Sequence, residues 1–180
     1  RVTAASYDEG SLCTIHDGCC LCIRASRPQS DARLRDLPPE ERVLFRCGGL
    51  VVSSARGAFL EGWLLVFPER HVTSLRHLSS TELRELDLII ECLRVVFLKE
   101  YGVPLFAFEH GSPTDRTRHT GRCVDHAHLH CMPHPSFKLS DLEQFTRTLV
   151  SCFSDLLTLE RPEEPYVLVI DGSEAMMLYE

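Results

Sequence analysis

Asp125-His126-Ala127-His128-Leu129-His130-Cys131-Met132-Pro133 alternates three histidines with apolar residues. On an extended strand, successive side chains point to opposite faces. The pattern therefore predicts a strand that turns His126, His128 and His130 to one face and Ala127 and Leu129 to the other. Neighbouring imidazoles on such a face lie roughly 6–7 Å apart. That is close enough for one ring to attack a small anionic group while another holds its oxygens. Imidazole titrates near neutral pH and can act as nucleophile, acid, base or metal ligand. Two plainer readings are a row of surface histidines and buried rings satisfied by hydrogen bonds.

Working outward, residues 111–121 read as a polar loop carrying Arg116, Arg118 and His119, with Arg122 just beyond. In a chain of net charge −7, this basic cluster before the histidine strand suits a clamp on phosphates; a solvated loop is the alternative. Val43-Leu44-Phe45-Arg46-Cys47 and Leu50-Val51-Val52-Ser53-Ser54 flank Gly48-Gly49 and read as a hairpin. Trp63-Leu64-Leu65-Val66-Phe67 is an apolar strand ended by Pro68. Ser79 and Ser80 ahead of Glu82 mark a helix start. Leu83, Leu86, Ile90, Leu93 and Phe97 then recur at helical spacing, and Gly102 with Pro104 ends the helix. Residues 105–109 and 123–132 are predicted strands. Leu142, Phe145, Leu149, Phe153 and Leu156 form one stripe and predict a second helix over about 140–159. Residues 166–170 and 176–179, joined at Asp171-Gly172-Ser173, read as a final hairpin. Residues 1–18 are polar and irregular, and 24–42 are a proline-rich charged loop with at most one helical turn. The expected class is α+β, an antiparallel sheet with helices on one side.

Hydrophobic content of 44% and charged content of 25% are ordinary for a soluble globular protein. No run approaches the ~18 apolar residues of a membrane span, and the N-terminus lacks a secretion-signal pattern. The acidic balance argues against a stable nucleic-acid complex. At 180 residues the chain reads as one domain over 1–180, able to bury a core. Nine cysteines are many, but a disulfide scaffold would be shorter and space them through loops. Cys92 and Cys152 fall in helical patterns and Cys47, Cys123 and Cys131 in strand-like ones. They read as buried reduced thiols, which implies a cytoplasmic setting. Cys19 and Cys22 have the spacing of a zinc knuckle, although a CxxC is equally compatible with redox chemistry or with no role.

The pattern His-φ-His-φ-His-φ-φ is joined, in order, by Cys19-Cys20-Leu21-Cys22, Pro68-Glu69-Arg70-His71 and Gly121-Arg122-Cys123. Together these pieces resemble the histidine-triad (HIT) superfamily of nucleotide hydrolases and transferases. The resemblance covers residues 19–133, with a core over about 19–135 and a C-terminal helix and hairpin over 136–180. It implies a five-stranded antiparallel sheet with two helices, usually paired as a homodimer, with the last hairpin as an extension. It also implies that His128 is the nucleophile, forming a nucleotidyl-imidazole, and that His130 contacts phosphate oxygens or tunes protonation. Zinc-containing members imply a structural zinc held by Cys19, Cys22, His71 and His126. No organic cofactor is expected. A zinc-hydrolase barrel, which also places histidines two apart on a strand, needs roughly 250 residues and an early motif.

Several positions depart from the family pattern. Gly121-Arg122-Cys123 replaces the usual Gly-Gln-Ser or Gly-Gln-Thr, and a thiol is a weaker donor than a hydroxyl. Glu109-His110-Gly111 stands where an asparagine-containing segment is common, and could supply acid–base help or bind a non-phosphate part of the substrate. Trp63 replaces a histidine. Ser53, Ser54, Ala55 and Arg56 surround the usual place of a ribose-holding acid. The expected substrate is a nucleotide conjugate: a dinucleoside polyphosphate, a nucleotide sugar or a nucleoside phosphoramidate. The rival expectation is a non-catalytic nucleotide-binding or zinc-stabilised interaction protein.

Overall fold

The structure is a computed structural model and describes residues 19–26, 42–111, 126–133, 145–159, 164–172 and 174–179. The expected hairpin forms from β1 (Val43–Cys47) and β2 (Leu50–Ser54). It turns at Gly48 and Gly49, both at positive φ, which glycine adopts without steric cost. β3 (Leu64–Pro68) pairs with β2. Then come β4 (Leu105–Gly111), β5 (Leu129–Pro133), β6 (Thr146–Leu149), β7 (Tyr166–Asp171) and β8 (Glu174–Tyr179). The strands form one sheet in the order β1-β2-β3-β5-β4-β7-β8-β6, with antiparallel neighbours throughout. The expected five-stranded sheet with a hairpin extension is thus corrected to one sheet of eight strands among the described residues, β6 being the strand not foreseen. The five predicted strands sit together as β1-β2-β3-β5-β4, and the last hairpin continues the sheet from β4.

The long helix α2 (Ser80–Tyr101) starts and stops where its end signals stand. The Ser79 hydroxyl accepts from Glu82 N–H, and the Glu82 carboxylate accepts from Ser79 N–H, a reciprocal cap that satisfies two orphan donors. Gly102 closes the helix in the left-handed conformation. Leu83, Leu86, Ile90, Leu93 and Phe97 are buried against Leu50, Val52, Val66, Ala107, Leu129 and Cys131. The helix therefore covers one face of the sheet along its centre.

The helix predicted over 140–159 is not what forms among its described residues. Thr146–Leu149 is strand β6, and Phe153–Leu157 is a short 3-10 helix. The β-branched Thr146 and Thr148 favour extended backbone, and β8 offers them a ladder. The Asp155 carboxylate then accepts from Ser151 and Cys152 N–H, which turns the chain. Phe153 and Leu156 still bury as the stripe requires, but Leu149 is exposed. Cys92 and Cys152, expected inside, are exposed, whereas Cys131 is buried.

A short helix, α1 (Cys20–Ala25), forms where the chain was read as CxxC and loop. Its Leu21 packs with Val51, Ala55, Leu65 and Phe67. These alternate with the residues under α2, so α1 lies on the opposite face and the helices are not confined to one side. Among the described residues no helix is long and apolar enough to cross a membrane.

Glu109 belongs to the α2 side of β4, with Leu105 and Ala107. It is buried, and its carboxylate accepts from Leu75 N–H at 2.8 Å and from the Tyr166 hydroxyl at 2.6 Å. The Ser74 hydroxyl lies 2.8 Å from that of Tyr166. Burial pushes the Glu109 carboxyl up to about 7, against the opposing pull of these two bonds. A carboxyl raised in the folded state binds more protons than in the unfolded chain. Its contribution is therefore most favourable below its unfolded value of 4.5 and declines as pH rises towards 7. Glu109→Gln imitates the protonated acid. The stability difference between variant and native chain should shift in favour of the variant by up to about 3 kcal/mol between pH 5 and pH 8. Urea unfolding at the two pH values checks this, and a difference independent of pH refutes it.

Candidate functional site

The three histidines straddle the start of β5. Ala127, Leu129 and Cys131 enter the core under α2, so the alternating histidines turn to the other face. Ala127 N–H donates to the Val72 carbonyl at 2.6 Å, and His126 Nε2 lies 2.8 Å from the Pro68 carbonyl. These two bonds fasten the approach of β5 against the segment leaving β3. That segment is held in turn by Arg70, whose guanidinium spans the Glu82 carboxylate and the His77 carbonyl.

Pinned in this way, His126 faces His71 and the two cysteines of α1. The ligand atoms of Cys19, Cys22, His71 and His126 all lie within 4.8 Å of one another. Cys22 Sγ is 3.3 Å from His71 Nδ1 and 3.4 Å from His126 Nδ1, and Cys19 Sγ is 3.5 Å from His126 Nδ1. A tetrahedral ion with ordinary metal–sulfur and metal–nitrogen bonds sets sulfur and nitrogen about 3.6 Å apart. The cluster can therefore hold a metal ion with little movement. A carbonyl only accepts, so the Pro68 contact puts the His126 proton on Nε2 and turns the Nδ1 lone pair to the cluster. Burial pushes His126 down to about 4, and the neutral ring is the form that ligates.

His128 is fixed by the same logic. Its Nδ1 lies 2.7 Å from the His126 carbonyl, so Nδ1 carries the proton and the Nε2 lone pair is left for chemistry. Burial lowers its pKa, opposed by that bond and aided by the charge of His110. His130 follows with its ring centroid 4.8 Å from that of His128. Burial, then the neighbouring His128 and His110, push it down to about 3. In both rings burial favours the neutral form. His110, exposed near the end of β4 on the same face, is brought to this group.

Glu109 is not brought there. It adjoins His110 in sequence and for that reason points through the sheet, into the core. The acid–base or substrate group expected from sequence is thus a buried carboxyl on the face opposite the histidines. Arg116, Arg118, His119, Arg122 and Cys123 lie outside the described residues.

Two side chains at the site had no role assigned from sequence. The Trp63 indole N–H donates to His130 Nδ1 at 3.0 Å. The Phe108 ring stacks on His130 with centroids 4.6 Å apart and planes 18° apart. Phe108 had a signal, since it shares the β4 face of Phe106 and His110. Trp63 was visible only as a departure from the family pattern.

No protein-family model and no curated protein matches the sequence. Solved structures do match. A DUF4931 family protein from Bacillus cereus is 11% identical, covers 76% of this chain and 83% of its own, and gives a TM-score of 0.52. Yeast Ap4A phosphorylase Apa2 is 14% identical, with 83% of this chain and 65% of its own covered, at 0.51. A member of the HIT family from Bacillus subtilis is 15% identical, with 71% and 92% covered, at 0.49. At such identities the first two likenesses concern the fold. The shared fold is what these likenesses show; the resemblance to the histidine-triad superfamily stays with the motif of alternating histidines.

Proposed function

We propose that the chain is a nucleotide hydrolase or nucleotidyltransferase that cleaves a phosphoanhydride or phosphoramidate of a nucleotide conjugate through His128. One observation carries this reading: the bond from His128 Nδ1 to the His126 carbonyl holds a proton on Nδ1, so that the neutral ring presents its lone pair on Nε2. Attack by Nε2 forms a nitrogen–phosphorus bond as the bond from phosphorus to the leaving group breaks. Water or another acceptor then releases the nucleotidyl group and frees the imidazole. In this reading His130 contacts the phosphate oxygens, and His110 is assigned to help the leaving group. Arg116, Arg118, Arg122 and Cys123 are assigned to the phosphates on their place in the sequence alone. A fold shared with an Ap4A phosphorylase supports a nucleotide conjugate as substrate.

Intact-protein mass spectrometry with a panel of such conjugates tests the reading, quenched without acid because a phosphoramidate is acid-labile. The native chain should gain the mass of one nucleotidyl group, and His128→Ala should gain none. Cys123 in place of a hydroxyl residue, and the lack of a ribose-holding acid around Ala55, favour a second reading, a nucleotide-binding protein without turnover. Binding with neither adduct nor product would select it.

The Cys19, Cys22, His71 and His126 cluster is assigned to a structural zinc, because four protein ligands close the coordination shell. Such a metal ties α1 to the approach of β5. Cys22→Ser should retain less than half the zinc of the native chain by elemental analysis, and chelation should lower the Tm of the native chain alone. Full zinc retention in Cys22→Ser would discard the ligand set.

The chain is further proposed to pair as a homodimer through α2. Leu88, Val95 and Leu98 on its outer side are 60%, 67% and 62% exposed, an apolar surface along one helix that water disfavours. Leu88→Lys with Val95→Lys should convert a dimer into a monomer by light scattering. A dimer that survives both charges does not use this helix.

A further inference from the structure

We propose that Trp63 is a positioning residue that dictates which nitrogen of His130 carries the proton, holding the ring as a neutral hydrogen-bond donor towards the substrate phosphate. The inference deepens the function proposed above and rests on it for its kinetic part only.

An indole N–H donates and cannot accept. Its partner, His130 Nδ1 at 3.0 Å, must therefore present a lone pair. With Nδ1 protonated, two donors would face each other at hydrogen-bond distance. The neutral ring therefore carries its proton on Nε2. Ring rotation by 180° would replace the nitrogen with a carbon and lose the bond, and the stack on Phe108 holds the plane. Phe59 packs edge-on against the indole, with centroids 4.9 Å apart and planes at 85°, and steadies the donor.

The neighbouring ring has the opposite pattern. His128 gives its Nδ1 proton to the His126 carbonyl and keeps a bare Nε2. In their neutral forms the two imidazoles, with centroids 4.8 Å apart, thus present complementary nitrogens, one lone pair and one N–H. A phosphoryl group meeting this pair finds a nucleophile for phosphorus and a donor for an oxygen without prior protonation of either ring. An imidazole at position 63 could donate or accept and would leave the His130 tautomer open. The indole removes that freedom.

The test is long-range nitrogen–proton correlation spectroscopy of the nitrogen-15-labelled full chain, with the His130 signals identified by their loss in His130→Gln. The native chain should show His130 protonated on Nε2, with a nitrogen–nitrogen coupling across the indole bond to Nδ1. Trp63→Phe keeps an aromatic ring and deletes the donor, and should show mixed tautomers. A proton on Nδ1 in the native chain, or the absence of that coupling, overturns the proposal. Neither readout depends on the variant folding. A folded Trp63→Phe with an unchanged tautomer also overturns it. With the conjugate that labels His128, Trp63→Phe should lower kcat by about 10- to 100-fold, the cost of a misplaced group, with KM little changed. A raised KM with intact kcat would instead make the indole a substrate-binding group and refute the positioning role. If no conjugate is turned over, the proposed function fails, while the tautomer result still decides this inference.

Discussion

The site depends on where the chain crosses itself between residues 68–72 and 126–128. The bond from Ala127 N–H to the Val72 carbonyl sets the register, and the bond from His126 to the Pro68 carbonyl sets the first ring. Side chains on extended backbone alternate, so a slip by one residue exchanges every inward and outward position. It would drive imidazoles under α2 and lift Ala127 and Leu129 to the face that the histidines occupy. The core and the site are thus fixed by one choice of register. The tautomers of His126 and His128 follow from it, because each is dictated by a backbone carbonyl.

The sheet separates two environments. Under α2 the core is apolar and closely covered, and the one carboxyl buried there among the described residues, Glu109, is held by hydrogen bonds rather than by an opposite charge. On the other face the aromatic rings of Phe67, Phe108 and Trp63 surround the histidines. Low polarity keeps imidazole neutral, and neutral imidazole is what a nucleophile and a metal ligand both require. The same packing that dries the site therefore sets its protonation.

Much of this was legible in the sequence because the signals were local. The hairpin at Gly48-Gly49, the capped helix from Ser80 to Tyr101 and the alternation through the triad each need only neighbouring residues. The four-residue Cys/His cluster was legible only through the family resemblance, since Cys22 and His126 are 104 positions apart. The 140–159 segment failed because its helical stripe competed with the ladder offered by β8, which lies later in the chain. Glu109 failed because its neighbour His110 was read with it, although adjacent strand residues face opposite ways. The bond of Trp63 to His130 joins strand neighbours 67 residues apart and has no signature in either segment.

The strand order holds a consequence for how the molecule assembles. β5 is inserted between β3 and β4, both of which precede it in the chain. Among the described residues no other strand links β1-β2-β3 with β4-β7-β8-β6; α2 and the bonds of Ser74 and Leu75 to Tyr166 and Glu109 join the two halves on one face. The histidine strand is therefore the keystone of the arch, set after the stones on its left and right. Non-local closure of this kind slows folding, because chain entropy is lost before the new contacts form. One short segment thus both carries the three histidines and closes the seam of the sheet.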